Sequence, residues 1–355
     1  MNEYTNYNER LSTAITWLRF PLIFLIIMLH CYSVQRLMGK GDHETYFKVL
    51  YPFSLWLGET GVPGFFFISG YLFFLSKKSY WQKLKDRFHT LLIPYILWNI
   101  LMLFAYLATS AMGYPITICD KNIVDYGLTD YLRLFWDRGD FGNGNFAPLL
   151  CPLWYIRNLF IMCVLSPLFY YLIRYLREVF LLSVLGWWLT LNHNAFIPQT
   201  ILFFGLGAYF SIFGINPLKI LSVHRIVIIS LCFVFSFIDI FVHIVVSTPV
   251  NLMIHRLALT FNIPVLILLG DHIVRRTSLK NRFLPQTAFI VFCIHYPIVL
   301  VLRKVCVTVF SDFSDVIHIL LYFLCVILTT ATSLGFYWAL NNYFPIVKNI
   351  LSGNR

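Results

Sequence analysis

Residues 18 to 30 read LRFPLIFLIIMLH, and this stretch decides the class of fold. It is apolar enough to cross a bilayer, yet it carries Arg19 near one end and His30 at the other. Ionisable groups are costly in hydrocarbon, so both are expected to face a protein interior or a cavity. They are eleven positions apart, which places them on one helix face about 16 Å apart along the axis. The first helix is therefore predicted to be polar at two depths.

The composition of the whole chain agrees with a membrane protein. Its 355 residues are 59% hydrophobic and 12% charged, and the mean hydropathy is +0.73. A soluble domain of this length would need more polar surface, so most of the chain must face lipid or other apolar segments. In a soluble protein the net charge of +11 would suggest a nucleic-acid partner. Here the positions of the basic residues in loops explain the charge, and no nucleic-acid partner is predicted.

Ten apolar segments approach the length of about 20 residues that a membrane-spanning helix needs. They run over 11–34, 51–76, 90–112, 152–173, 179–191, 198–214, 226–247, 252–270, 287–310 and 316–340. The fifth and sixth are short. We therefore predict an all-α polytopic membrane protein with about ten transmembrane helices, forming a single domain over residues 1–355.

The basic residues predict the orientation of the chain. With a cytoplasmic N-terminus, sixteen Lys and Arg residues fall in inner loops and seven in outer loops. The positive-inside rule then predicts that both termini are cytoplasmic, as in a multi-pass protein of the cell inner membrane, in contact with membrane lipids.

On this orientation, residues 113–151 form one long extracytoplasmic loop. Five Asp residues lie there among Tyr, Phe and Trp side chains. Carboxylates beside aromatic rings suit a sugar, although an ordinary amphipathic surface helix would look the same. Cys119 and Cys151 flank the loop and would be bridged only in an oxidising compartment. The other cysteines show no metal-ligand spacing, so no metal is predicted.

Further ionisable groups fall at matching depths in the predicted bundle. The second helix runs back inward, so Glu59 is expected near the level of His30 and Ser69 near the level of Arg19. The later apolar segments contribute three more candidates, which are Arg157, His295 and Arg303.

Glu59 has two interpretations. It neutralises Arg157 or Arg303 in a structural ion pair, or it holds one ring nitrogen of His30. A histidine held in this way is oriented and more basic, as a general base acting on a hydroxyl must be. Structural explanations also remain for Arg19, which near a helix end can reach the lipid headgroups, and for His30 as a neutral buried histidine.

Residues 63–88 read PGFFFISGYLFFLSKKSYWQKLKDRF and place Ser69 and Gly70 close to the inner surface. Glycine lets backbone approach a ligand, and the basic loop that follows offers cations for phosphate groups. Binding of the loop to anionic lipid explains it equally well. The basic residues of this loop are Lys77, Lys78, Lys83, Lys85 and Arg87.

Several separated stretches resemble the acyltransferase 3 family of integral-membrane O-acyltransferases. They are the Arg19 and His30 pair with ten residues between, FFFISGYLF at 65–73 followed by a basic segment and Pro94, PLWYIRNLF at 152–160, and FIVFCIHYPIV at 289–299. The family often carries an acidic residue three positions before its Arg, where this chain has Thr16.

This resemblance implies transfer of an acyl group, most often acetyl from cytoplasmic acetyl-CoA, to a hydroxyl of a glycan or lipid-linked sugar. It implies that His30 is catalytic and that Arg19 is a donor-side or structural partner. The matching depth of Glu59 makes it the expected catalytic partner of His30. The basic loop would bind the acyl-CoA phosphates. The expected substrate-binding residues are Arg19, Ser69, Gly70, Tyr71, Arg157, His295 and Arg303.

Two other classes of protein fit the buried charges. A transporter of glycans or lipid-linked sugars would line its path with such groups, and it would be expected to show an internal repeat with broken helices. No such repeat is evident in the sequence. In a non-catalytic membrane assembly protein or sensor, the same charges would only hold helices together.

Overall fold

Helices make up nearly all of the secondary structure. The structure, a computed structural model, describes residues 3–32, 43–142, 144–193, 195–245, 249–276, 283–310 and 313–354. Within these ranges the strands are β1 (Thr117–Ile118) and β2 (Lys121–Asn122), which pair in one antiparallel hairpin. The prediction of an all-α chain is confirmed.

The α-helices follow one another along the chain, with the longest described connections on either side of Leu128–Arg133. They are α1 (Glu3–Cys31), α2 (Glu44–Tyr51), α3 (Gly61–Leu75), α4 (Tyr80–Arg87), α5 (Ile93–Ala111), α6 (Leu128–Arg133), α7 (Trp154–Val164), α8 (Ser166–Leu176), α9 (Glu178–Thr190), α10 (Phe196–Ile212), α11 (Pro217–Val223), α12 (Arg225–Val245), α13 (Pro249–Arg276), α14 (Phe283–Val309), α15 (Asp315–Tyr343) and α16 (Pro345–Ser352). Shorter π-helical or 3₁₀ turns are Pro52–Leu57, Gly58–Thr60, Phe88–Leu92, Ile123–Asp125 and Cys151–Leu153.

Each of the ten predicted segments is helical, but the number of full spans is lower. By length and apolarity six helices of the described chain can cross a membrane alone, namely Tyr7–Cys31, Tyr80–Ala111, Arg225–Val242, Val250–Arg276, Phe283–Cys306 and Asp315–Tyr343. The number rises to eight if the bent pairs α7 with α8 and α10 with α11 each form one span. The predicted count of ten is therefore approximate. The expected ends of two segments, Val34 and Ser247, lie outside the described residues.

The two bends have local causes. Helices α7 and α8 meet at 67°, and a proline in the first turn of α8 cannot donate a backbone hydrogen bond to the preceding turn. Helices α10 and α11 meet at 96° just after Gly214, whose φ of +65° is a left-handed conformation that favours glycine.

Helix α1 occupies the centre of the bundle. It packs against α3, α13, α14 and α15, and against the segment 52–60 that leads into α3. Gly61 permits this approach, since a Cβ there would lie 2.8 Å from the Leu22 carbonyl oxygen. One face of α1 is thereby held against the start of α3, and another is turned toward α14.

Helices α3 and α10 approach each other through two glycines. A Cβ on Gly70 would lie 2.1 Å from the carbonyl oxygen of Phe204, and a Cβ on Gly207 would lie 2.1 Å from that of Phe67. Small residues let helix backbones pack closely in membranes. Gly70 was expected to let a ligand approach, but the backbone that approaches it is that of α10.

Replacement of Gly207 by Ala is expected to lower the free energy of unfolding by about 1–3 kcal/mol, because the new methyl group has no room between α10 and α3. Thermal unfolding of the purified protein in detergent measures the change. Gly186→Ala on α9 is the matched control, since no atom lies within 4 Å of its Cβ position. Equal melting temperatures for the two variants would contradict the packing argument.

Candidate active site

A cavity of about 1170 Å³ lies between the middle of α1 and the N-terminal half of α14, bounded also by α3, α7, the end of α4 and the turn Phe88–Leu92. On the predicted orientation this is the cytoplasmic half of the bundle. The expected residues Arg19, Ser69 and Arg87 all line it. The cavity therefore brings together three groups from three separate parts of the sequence.

The polar groups of the cavity suit an elongated anionic ligand. Arg19 and Arg87 line its wall, and within the described part of the chain neither forms an ion pair. Unpaired guanidinium groups are donors for phosphate or carboxylate oxygens. Deeper in the wall, the Ser69 Oγ lies 3.2 Å from the Tyr155 hydroxyl.

Aromatic side chains separate this cavity from a pair of histidines. Tyr155 and Phe292 line the cavity, and their rings meet edge to face at 5.8 Å. The Phe292 ring also lies 5.9 Å from the ring of His295, which in turn lies 5.4 Å from the ring of His30. The two histidines thus lie directly beyond one wall of the cavity.

His30 is surrounded by residues of α14. The Tyr296 ring meets it edge to face at 5.2 Å, and Arg303 Nη1 donates a hydrogen bond to the His30 carbonyl oxygen at 3.0 Å. His30, His295 and Arg303, three of the expected site residues, therefore form one cluster.

The tautomer of His295 follows from its hydrogen bonds. Its Nδ1 lies 2.7 Å from the carbonyl oxygen of Phe292, and a carbonyl can only accept. Nδ1 therefore carries a proton, and in the neutral imidazole Nε2 has a lone pair. That Nε2 is buried and has no hydrogen-bond partner among the described residues. Buried polar atoms are normally satisfied, so this lone pair marks a position where a donor is expected.

Glu59 contacts a different histidine from the one predicted. Its carboxylate lies 3.2 Å from Nε2 of His255, and His255 Nδ1 lies 2.9 Å from the Asp239 carboxylate. Tyr51 completes the cluster by donating to Asp239 at 3.0 Å. The expected pairing of Glu59 with His30 is therefore wrong, because α13 presents a buried histidine to Glu59. Sequence reasoning overlooked this cluster, although a histidine and an aspartate inside apolar segments were visible signals.

Arg157 also has a structural function that the sequence did not predict. Its guanidinium donates to the carbonyl oxygens of Trp136 and Phe146 and to the Asn158 side chain, and it stacks 4.6 Å above the Trp136 ring. Arg157 therefore forms no ion pair with Glu59 among the described residues, and it does not line the cavity. It fastens the outer segment 128–150 to the start of α7.

The basic loop is mostly separate from the cavity. Lys78 forms an exposed ion pair with Asp86 at 2.6 Å, and Lys83 lies over the Phe73 ring. Of the five basic residues only Arg87 lines the cavity, whereas Lys77, Lys78, Lys83 and Lys85 do not. Tyr71 lines a second, smaller cavity of about 240 Å³.

The two cysteines of the outer loop are free thiols. The Cys119 thiol donates to the carbonyl oxygen of Arg138 at 3.2 Å, and Cys151 is buried beside the Tyr296 hydroxyl. No disulfide joins Cys119 to Cys151 in this structure.

Replacement of Asp239 by Ala is expected to destabilise the protein by about 3–5 kcal/mol, because it leaves His255 and Tyr51 buried without their acceptor. Thermal unfolding in detergent checks this. Asp86→Ala, which breaks only an exposed ion pair, is the control and should change the melting temperature little. If Asp239→Ala lowered the melting temperature no more than Asp86→Ala does, the cluster would not be structurally important.

Comparison with known proteins identifies the family of the chain. Residues 12–338 match the family model described as an acyltransferase domain. The succinoglycan biosynthesis protein ExoH of Rhizobium meliloti is 29% identical over 219 residues, which cover 59% of this chain and 56% of ExoH. The chain thus spans little more than half the length of this relative. No solved structure matches significantly. Because the family match extends over most of the sequence and includes the cavity and both histidines, this multi-pass membrane protein belongs to the acyltransferase 3 family.

Proposed function

We propose that the protein is a membrane-bound O-acyltransferase of the cell inner membrane. It transfers an acyl group, acetyl in the simplest case, from acyl-CoA to a hydroxyl of a cell-surface or exported glycan. The observation that carries the proposal is the cavity with Arg19 and Arg87 in its wall and the pair His30 and His295 beyond it. A relative involved in succinoglycan biosynthesis supports a glycan as the acceptor.

The donor would occupy the cavity from the cytoplasmic side. Its phosphate groups would bind Arg19 and Arg87, which have no competing ion-pair partner within the described ranges. Its acyl arm would extend past Ser69 and Tyr155 toward His30. Arg19 and His30 are about 16 Å apart along α1, so an extended arm is needed to connect the two levels. A long thioester ligand such as acyl-CoA has this shape.

His30 would act as the general base. It takes the proton of the acceptor hydroxyl, the oxygen attacks the thioester carbonyl, and the carbon–sulfur bond breaks. The proton on His30 then passes to the leaving thiolate, so the products are an ester and free CoA. Arg303, next to His30, would stabilise the negative charge that develops on the thioester oxygen.

His295 would take the orienting role first expected of Glu59. Its unprotonated Nε2 is held by the hydrogen bond of Nδ1 to Phe292, and its ring lies beside that of His30. A lone pair there can accept a hydrogen bond from one ring nitrogen of His30 and leave the other nitrogen as the base. Nε2 of His295 would then have a hydrogen-bond partner.

His30→Ala is expected to reduce acyl transfer about a hundredfold or more, because the general base is lost. His295→Ala should reduce it less, because the base itself remains. Mass spectrometry of surface glycans from cells with equal amounts of each protein measures the acyl content. His272→Ala, at an exposed histidine of α13, is the control and should match the wild type. Unchanged acyl content in His30→Ala would overturn the catalytic assignment, and glycan flux without acyl transfer in the wild type would favour a transporter.

Arg87→Gln is expected to weaken binding of acetyl-CoA about tenfold, because one of the two free cations of the cavity is removed. Equilibrium binding of labelled acetyl-CoA to the purified protein measures this. Lys85→Gln removes a neighbouring charge that lies outside the cavity, and its dissociation constant should stay within about twofold of the wild-type value. If both substitutions weakened binding equally, the loop as a whole and not the cavity would bind the donor.

A further inference from the structure

The outer segment holds one arginine in a fixed backbone position. The Arg138 N–H donates to the carbonyl oxygen of Ala147 at 2.8 Å, and the Arg138 carbonyl accepts from the Cys119 thiol. The next residue, Gly139, has φ of +90°, and its N–H donates to the Asp137 carboxylate at 2.9 Å. The turn at Arg138 is therefore fixed on both sides.

Arg157 strengthens this arrangement from within the bundle. It donates to the carbonyl oxygens of Trp136 and Phe146, which precede and follow Arg138 along the segment. Arg157 therefore holds Trp136 and Phe146, on either side of Arg138, against the start of α7.

Most of the Arg138 side chain is buried. It is only 18% exposed, although it belongs to a segment predicted to lie outside the membrane. It interacts electrostatically with Tyr296, whose ring contacts His30, and with Cys151. Tyr296, which contacts His30, therefore also interacts with Arg138, whereas Phe292 connects the cavity to the histidines.

The hydrogen-bonding groups of Arg138 are only partly used. Its Nη2 lies 2.5 Å from the Asp140 carboxylate, but its Nε is buried and has no hydrogen-bond partner among the residues described. A guanidinium beside a carboxylate offers donors and an acceptor together. Adjacent hydroxyl groups of a sugar ring need both, since each hydroxyl donates one hydrogen bond and accepts others.

We propose that Arg138, with Asp140, binds the acceptor saccharide through hydroxyl groups next to the one that is acylated. The inference rests on the proposed function and assigns the acceptor to the outer side of His30, opposite the donor cavity. Arg138 contacts the acceptor but takes no part in proton transfer. The outer segment is thus a specificity element for the glycan.

The experiment measures acetyl transfer by the purified full-length protein in detergent. Labelled acetyl-CoA is the donor, and the acceptor is surface polysaccharide of the expressing cell from which mild alkali has removed the acyl esters. Arg138→Gln should raise the KM for polysaccharide about tenfold, because it removes a charged two-pronged donor, while the dissociation constant for acetyl-CoA stays within about twofold. Arg138→Lys keeps the charge and should raise the KM less.

Arg133→Gln is the matched control, since Arg133 lies on the same segment but its side chain is 67% exposed. Its KM for polysaccharide should equal that of the wild type. An unchanged KM in Arg138→Gln, an equal rise in Arg133→Gln, or an equal loss of acetyl-CoA binding would overturn the inference. If Arg138→Gln fails to fold, Arg138→Lys takes its place, and an unchanged KM for polysaccharide in that variant would overturn the inference. Absence of transfer by the wild-type protein would instead refute the proposed function.

Discussion

An ionisable group buried inside a membrane protein needs a partner, because neither lipid nor an apolar core can solvate its charge. Most buried charges of this bundle meet that requirement in full. Arg10 forms a two-pronged contact with Asp271, and His255 lies between two carboxylates. Arg256 donates to three backbone carbonyl oxygens at the end of α9 and beyond it. These contacts tie helices together and explain many of the polar residues in the apolar segments.

Several polar or charged groups of the described residues lack an ion-pair or hydrogen-bond partner, and four of them concern the proposed site. Arg19 and Arg87 form no ion pair, and both His295 Nε2 and Arg138 Nε are buried without a hydrogen-bond partner. The two cations share one cavity, and His295 lies beside His30. Other buried polar atoms without a hydrogen-bond partner among the described residues, such as His43 Nε2, do not line that cavity. A ligand-binding site requires donors and acceptors that the protein itself leaves unsatisfied. The proposed donor and acceptor sides both follow from it.

The close helix packing determines where this path runs. Glycines on α3 and α10 let those helices touch, and Gly61 brings the start of α3 onto α1. With α3 held on one side of α1, the face that bears Arg19 and His30 is turned toward α14. Tyr155 and Arg157 lie two positions apart on α7 and so face different sides of the helix, and one lines the cavity while the other fastens the outer segment.

The sequence alone determined the all-α membrane fold, the positions of the helical segments, and the shared helix face of Arg19 and His30. These properties depend on local composition and on the 3.6-residue period, which any apolar helix obeys. It also singled out Ser69, Arg87, His295 and Arg303, all of which lie in the cavity wall or beside His30.

Only the tertiary structure decided which partner each charge takes. Counting residues gave Glu59 and His30 a similar depth, but depth along a helix does not fix the direction of a side chain around the bundle. Glu59 therefore binds His255, and Arg157 binds the backbone of the outer segment. Arg138 lies in the outer segment, yet its side chain is mostly buried beside Asp140. The contacts of Glu59 and Arg157 join residues far apart in sequence, and no local pattern encodes them.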